Sequence, residues 1–353
     1  MGLLHKIFNL VKEELSDSDE RKNDSSKKQT VKKQAESHPE GDSFEQLCAK
    51  AKSGDLAAQF ILFDQYAEKA EKRSALEAVF TEIMNDGSVE GKALLGCLLL
   101  QPGTSQEEQE KGMKLYTEAT QAKSLFALAM NGFFYAAPRG KRRDWDPKVS
   151  DERLIIQPVN AIEAMGYLYP LVNVHLKNQS KEVQAAYHSV YGALAYVYLF
   201  FPPSLLHSGF DDPKRKYARL GAEYEDPLAC FALARMYQNT LKNEDNSEEY
   251  VALYLHKAEK NKEQLDNEIY KPILGWLYSD LGALYWDKDR QKAVKYYEQA
   301  AELGIGEAMM TMVGLYESGK TITKDLEKAM YWRNRAADAG WNFSKNCAAE
   351  GSI

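Results

Sequence analysis

The sequence lacks the residue patterns that common enzymes and metal sites require. It contains no G-x-x-x-x-G-K loop, no H-E-x-x-H and no G-x-S-x-G motif, and its six histidines include no pair at metal-ligand spacing. Its cysteines form no C-x-x-C pair and lie in apolar helical patterns, which favours reduced, buried thiols over disulfides or zinc ligands: Cys48, Cys97, Cys230 and Cys347. We therefore expect a protein that is not an enzyme and that holds no cofactor or metal.

An excess of positive charge is also absent. The 353 residues carry a formal net charge of −7, with a pI near 5.6, so the whole molecule would repel nucleic acid and anionic membranes. One nearly uncharged stretch, 183–201, is long enough to span a bilayer, but Gln184, His188 and four tyrosines favour a helix covered by neighbouring helices. We expect a cytoplasmic protein that does not bind nucleic acid.

The N-terminal region has a composition of its own. Residues 1–15 predict a short amphipathic helix, which Lys6 and Lys12 interrupt too often for a signal peptide. Residues 16–43 contain almost no apolar side chain and predict a disordered, charged linker. The tethered helix has three alternatives: docking on the rest of the chain or simple fraying, docking on a partner, or membrane contact through residues 3–15. The last is the least favoured.

One helical phrase occurs twice near the C-terminus. Apolar and small residues recur at offsets of three and four, and each copy ends in a glycine, which predicts two helices of one kind with a left-handed residue after each: Ala293, Tyr296, Ala300, Ala301 and Gly304, then Ala329, Trp332, Ala336, Ala337 and Gly340. Between them lies a different helix, with Met312, Val313 and Tyr316, that ends near Gly319. Asp325 is the predicted N-cap of the second copy. Neither kind of helix can bury its face alone, so the unit is expected to stack on copies of itself.

Over residues 293–340 this pattern resembles the Sel1-like repeat, a relative of the tetratricopeptide repeat. The resemblance implies an all-α fold, a right-handed α-solenoid of about seven helix-turn-helix units. It also implies a non-enzymatic role in binding proteins, of the kind found in bacterial regulation and signalling.

The same register can be laid along the chain from residue 44 onward. A tyrosine, or a leucine in the second unit, follows twelve residues after each unit start, and this predicts seven first helices that contain Tyr66, Leu99, Tyr135, Tyr198, Tyr237, Tyr285 and Tyr316. The unequal spacing predicts a repeat domain over 44–353 with an insertion at about 136–182. The insertion opens as a polar loop and continues as an apolar helix.

The resemblance also selects candidate binding residues. In the related tetratricopeptide geometry, groove-facing positions lie three before, one after and four after the small residue of each first helix. These positions hold the predicted partner-binding residues: Phe133, Tyr196, Phe231, Arg235, Gln238, Trp286, Met310 and Glu317. Aromatic and arginine side chains dominate the energetics of protein interfaces, although each of these could equally be buried against the next unit.

A second candidate is a basic patch in the insertion. Four cations with an adjacent indole could bind phosphate or an acidic protein, although a solvated loop is the favoured alternative: Arg139, Lys141, Arg142, Arg143 and Trp145. In an acidic chain an acidic protein is the favoured ligand of this patch.

These observations favour a scaffold or adaptor that holds a protein or peptide in a groove. A sharper version is a bacterial regulatory or toxin-neutralising (immunity) protein, whose acidic surface would suit a basic toxin. The alternatives are an enzyme or enzyme-regulating domain built on the insertion, and a scaffold tethered to a membrane by the N-terminal helix.

Overall fold

The computed structural model describes residues 42–138, 158–200, 213–239, 247–267 and 269–339. The predicted N-terminal helix lies outside these residues, as do the predicted linker apart from Asp42 and Ser43 and the entire basic patch at 139–145.

The described residues form α-helices joined by short turns. In chain order these are α1 Phe44–Lys52, α2 Leu56–Tyr66, α3 Arg73–Asn85, α4 Val89–Leu99, α5 Gln106–Gln121, α6 Leu125–Ala136, α7 Ala161–Pro170, α8 Lys181–Ala186, α9 Ser189–Tyr198, α10 Pro213–Glu223, α11 Pro227–Asn239, α12 Ser247–Lys260, α13 Lys271–Tyr285, α14 Arg290–Glu302, α15 Gly306–Ser318 and α16 Leu326–Asp338. Within these ranges there is no strand, and Pro138 and Pro158 form one isolated antiparallel bridge.

The chain divides into two compact units. The first comprises the residues up to Leu128 together with Ser180–Ala186, and the second comprises Ala129–Gln179 and everything from Tyr187 onward. In the first unit α1 packs on α2, α3 on α4, and α4 on α5. In the second unit the paired helices are α9 with α10, α11 with α12, α13 with α14, and α15 with α16. The predicted all-α class, built from packed helix pairs, is confirmed.

The predicted first helices all exist. Each predicted marker residue lies in the last turns of one helix, in the order Tyr66 in α2, Leu99 in α4, Tyr135 in α6, Tyr198 in α9, Tyr237 in α11, Tyr285 in α13 and Tyr316 in α15. Tyr198, Tyr237 and Tyr285 each stack on an aromatic ring of the paired helix. For example, the ring centroids of Tyr198 and Tyr217 are 5.8 Å apart, and those of Tyr285 and Tyr296 are 5.7 Å apart. Such aromatic pairs stabilise the packing of the two helices of a repeat at one end.

The turns between pairs share one backbone conformation. The predicted unit starts are the residues that lie twelve positions before the marker residues. Five of them have positive φ: Gly54 (93°), Gly87 (87°), Lys123 (61°), Glu225 (55°) and Gly304 (93°). A residue with left-handed backbone dihedrals ends a helix and reverses the direction of the chain. Such a position favours glycine because a Cβ is unfavourable there. Lys123 and Glu225 take this conformation as non-glycine residues, which explains why the glycine signal disappears in the middle of the chain.

The predicted helix caps are also present. The Asp325 carboxylate accepts from the Lys328 backbone N–H at 3.0 Å at the start of α16. Ser105 and Glu108 form a capping box at the start of α5, and Gly319 ends α15 with a φ of 66°. These local contacts fix where the helices begin and end.

The apolar helix predicted within the insertion is present but changes its winding. After Pro170, which cannot donate a backbone hydrogen bond, α7 passes into a π-helical turn at Leu171–His175 and a 3-10 turn at Leu176–Asn178. The stretch 183–201 is likewise divided between α8 and α9. Among the described residues, no helix is long and apolar enough to cross a membrane.

Candidate partner-binding surface

In the second unit, α11, α13 and α15 are the first helices of three consecutive pairs. Each of them carries predicted groove residues. The small residues that set their register are Ala234, Gly282 and Val313, and all three are buried. Residues at equivalent offsets from these three positions therefore lie at equivalent places on the three helices.

Three of the predicted partner-binding residues belong to the core. Phe133 is 4% exposed, Tyr196 is 0% exposed and Phe231 is 1% exposed. The offsets specify a face of the helix but not what covers that face. Because α9 and α11 pack directly on each other, their side chains fill the space between helices. These three aromatic residues are therefore corrected to packing residues.

Arg235 is held between two helices. Its guanidinium carbon lies 5.4 Å from the ring centroid of Phe231 on α11 and 5.0 Å from that of Trp276 on α13. Its Nε atom lies 2.7 Å from Oδ2 of Asp280, one turn after Trp276. That contact is a close ion pair between α11 and α13. Arg235 therefore joins α11 to α13.

Asp280 is the most perturbed acid of this region. Burial raises the pKa of its carboxyl to about 6, the Arg235 guanidinium partly offsets that rise, and Glu307 on α15 adds to it. Burial also raises the pKa of the Tyr297 hydroxyl to about 12, with smaller effects from Glu307 and Asp280. Both shifts come mainly from burial, and both include a smaller contribution from Glu307 on α15.

The other end of α13 is more open. Trp286 is half-buried, and the guanidinium of Arg290 lies 4.5 Å from its ring centroid. The ring of Tyr297 also contacts Trp286, at a centroid distance of 6.0 Å. Gln238, the equivalent residue on α11, is half-buried as well. Trp286 therefore presents part of its indole to solvent in a fixed orientation.

The last first helix, α15, has the greatest exposure on this face. Met310 is half-buried, Gly314 is exposed with open space where a Cβ would lie, and Glu317 is exposed in an ion pair with Arg333. Ala283 occupies the place on α13 equivalent to Gly314 and is also exposed. The predicted groove positions of α13 and α15 thus hold two exposed small residues and the half-buried Trp286 and Met310.

A family comparison identifies these helices. The Sel1 repeat model matches residues 274–305 and 308–341, which span α13 to α16. The chain contains two Sel1 repeats. The resemblance inferred from the repeated phrase is therefore confirmed where it was strongest.

Solved structures with similar folds include other proteins with this repeat. A Sel1 repeat protein from Oxalobacter formigenes shares 17% identity, with 80% of this chain and 96% of that chain covered and a TM-score of 0.47. The protective antigen c5321 of uropathogenic Escherichia coli, which has an SLR fold, shares 17% identity, with 84% and 64% coverage and a TM-score of 0.42. The immunity protein PA5088 of Pseudomonas aeruginosa shares 14% identity, with 75% and 83% coverage and a TM-score of 0.36. No curated protein matches the chain in sequence.

Two residues of the region were missed by the sequence analysis. Trp276 and Asp280 lie six and two residues before Gly282, outside the offsets used to select groove positions. Trp276 could have been found, because it lies seven residues before Ala283 and therefore on the same stripe of α13. Asp280 could not, since an acid in a helix is usually solvated and only the packing shows that this one is buried.

The surface that stays available on the Sel1 repeats is thus smaller than predicted. We call it the α13–α15 surface and define it by three predicted residues and three neighbours: Trp286, Met310 and Glu317 with Trp276, Ala283 and Gly314. Arg235 and Gln238 flank it on α11.

Proposed function

We propose that this Sel1-repeat protein is a non-enzymatic scaffold that holds a partner protein on the α13–α15 surface. Sel1 repeats are protein–protein interaction modules, and the observation that carries the proposal is the partial exposure of Trp286 and Met310 around the open positions Ala283 and Gly314. An indole that is already oriented loses little conformational entropy on binding, so its contact surface contributes efficiently to affinity.

The experiment is a capture from native cell extract by three folded proteins. These are the wild type, a surface variant with Trp286→Ala, Met310→Ala and Glu317→Lys, and a control variant with Lys295→Ala, Glu298→Ala and Gln299→Ala. The control residues are exposed on α14, outside the surface. All three proteins are first required to melt cooperatively at similar temperatures.

We expect one protein to be retained by the wild type and the control variant and lost by the surface variant. Retention by all three would contradict this site, and capture of nothing by any of them would contradict the scaffold function. A direct titration of the purified partner then measures the loss, which we expect to be at least tenfold in Kd, or about 1.4 kcal/mol.

The finer hypothesis is a cytoplasmic bacterial protein that neutralises a basic toxin. Its support is the net charge of −7, which would accelerate association with a positively charged partner. Co-expression with the toxin of a neighbouring gene tests it. Survival with the wild type and death with the surface variant would support it, whereas full toxicity in both cases would exclude that toxin as the partner.

A further inference from the structure

The last helix pair leaves one face uncovered that the preceding pair buries. The repeated phrase relates α14 to α16 by 36 residues, since Ala293 corresponds to Ala329 and Ala301 to Ala337. Val294 on α14 is 8% exposed, whereas its counterpart Met330 on α16 is 63% exposed. Seven residues further along the same face, Ala301 is buried and Ala337 is exposed.

The two helices differ in the number of first helices that pack against them. α14 packs against its own first helix α13 and also against the next first helix, α15. α16 packs against its own first helix α15, and the described chain ends at Ala339. The exposed face of α16 is therefore equivalent to the face of α14 that receives a following helix.

Other faces of the two helices do not show this change from buried to exposed. Lys295 and Glu298 are exposed on α14, and their counterparts Tyr331 and Asn334 are exposed on α16 as well. The buried residues Val294 and Ala301 are the ones whose counterparts become exposed, and they lie where a following helix would cover the surface. An apolar methionine that is 63% exposed beside a small residue is the composition expected of a helix interface, not of a solvated face.

The remaining chain has the length and pattern of the missing element. Fourteen residues follow Ala339, and α15 is 13 residues long. Counted from Gly340, Ser344 and Ala349 occupy the places that the small residues Ala308 and Val313 occupy after Gly304. Trp341 takes the place of Ile305, which is 5% exposed and lies against Gly275.

We propose that the face of α16 defined by Met330 and Ala337 is the docking surface for the chain's own C-terminal segment, residues 341–353. The segment would cover this face as α15 covers the equivalent face of α14. A repeat with an apolar outer face needs such a cover because it cannot bury that face alone.

A thermodynamic cycle tests the contact. The full-length protein and a protein ending at Gly340 are each prepared with and without Met330→Glu, and thermal unfolding is followed by circular dichroism. In the full-length protein we expect Met330→Glu to lower the melting temperature by about 2–4 °C. In the shortened protein we expect it to have less than half of that effect, because the segment it would disturb is gone.

The matched control is Asn334→Glu, which adds the same charge to α16 at a position that stays open. It should shift both proteins equally. Hydrogen exchange of the peptide 326–338, followed by mass spectrometry, provides a second readout, and removal of 341–353 should accelerate it. If Met330→Glu prevents folding, Ala337→Ser serves as a milder replacement in the same cycle.

Two results would overturn the proposal. Equal shifts from Met330→Glu in the full-length and shortened proteins would show that the segment does not touch this face. Light scattering that shows a wild-type dimer, dissociated by Met330→Glu, would assign the face to a second copy of the chain. A monomer whose Met330 effect depends on residues 341–353 is the outcome that we expect.

Discussion

The Nε atom of Arg235 lies 2.7 Å from a carboxylate oxygen of Asp280, and this ion pair joins the first helices of two consecutive pairs. Both partners are removed from most solvent, with side-chain exposures of 21% and 12%. A buried ion pair must offset the desolvation penalty of both charges, and here burial outweighs the effect of the Arg235 guanidinium, so the pKa of the Asp280 carboxyl is raised. The pair thus fixes the position of Arg235 at a cost in stability.

The cost of burying the charged Asp280 carboxylate predicts that the unfolding free energy of the protein depends on pH. The pKa of Asp280 is about 6 in the folded chain and 3.8 in its ordinary state, so folding favours the protonated acid. The stability that this proton contributes is complete below pH 3.8 and is lost as the pH rises through 6. A difference of this size corresponds to roughly 3 kcal/mol.

The measurement compares Asp280→Asn with the wild type by urea unfolding between about pH 4 and pH 7. We expect the difference in unfolding free energy to move in favour of the variant by up to roughly 3 kcal/mol as the pH rises. Asp287→Asn is the control for the loss of one negative charge, because the side chain of Asp287 is 90% exposed. A difference for Asp280→Asn that stays flat, or that equals the difference for the control, would contradict the assignment.

A second prediction concerns two glycines that allow two helices of the first unit to touch. A Cβ added at Gly96 on α4 would lie 2.9 Å from the backbone oxygen of Gly112 on α5, and one added at Gly112 would lie 2.9 Å from the oxygen of Gly96. Backbone atoms cannot move aside individually, so alanine at either position must push the helices apart. We expect Gly96→Ala and Gly112→Ala each to lower the unfolding free energy by about 1–3 kcal/mol.

The control for these variants is another glycine inside a helix. Gly314 has open space around its Cβ position, so Gly314→Ala should be neutral or stabilise the protein by up to about 1 kcal/mol through helix propensity. Thermal or urea unfolding of the three variants decides the matter. If Gly96→Ala behaved like Gly314→Ala, the close approach of α4 and α5 would be wrong.

Much of the fold could be predicted because its signals are local. Positions such as Tyr285 and Gly304 recur at fixed offsets, and an amphipathic helix shows its buried face in its periodicity. The glycine signal failed at Lys123 and Glu225, which have the same left-handed backbone without the residue type that reveals it. In the middle of the chain, the repeat register could therefore be assigned only from the aromatic and small residues.

The candidate site was less predictable because exposure is a property of packing. Phe231 and Trp286 both satisfied the same rule, yet Phe231 is covered and Trp286 is partly open. What separates them is whether a neighbouring helix lies over the position, and that depends on residues far away in sequence. The same limit applies to Asp280, whose burial no local pattern indicates.

A final prediction concerns a carboxylate that caps a helix of the neighbouring pair. The carboxylate of Glu90 on α4 accepts hydrogen bonds from Ser124 Oγ at 2.6 Å and from the backbone N–H groups of Leu125 at 2.7 Å and Phe126 at 3.1 Å, at the start of α6. Charge on the acceptor strengthens each bond and complements the helix dipole. We expect Glu90→Gln to lower the unfolding free energy by about 1–2 kcal/mol, because the amide accepts with one neutral oxygen.

The control is Glu107→Gln, which replaces an exposed acid in the first turn of α5. It should change the unfolding free energy by no more than about 0.5 kcal/mol. Equal effects of the two variants in urea unfolding would mean that this contact between pairs contributes no more than an ordinary surface charge.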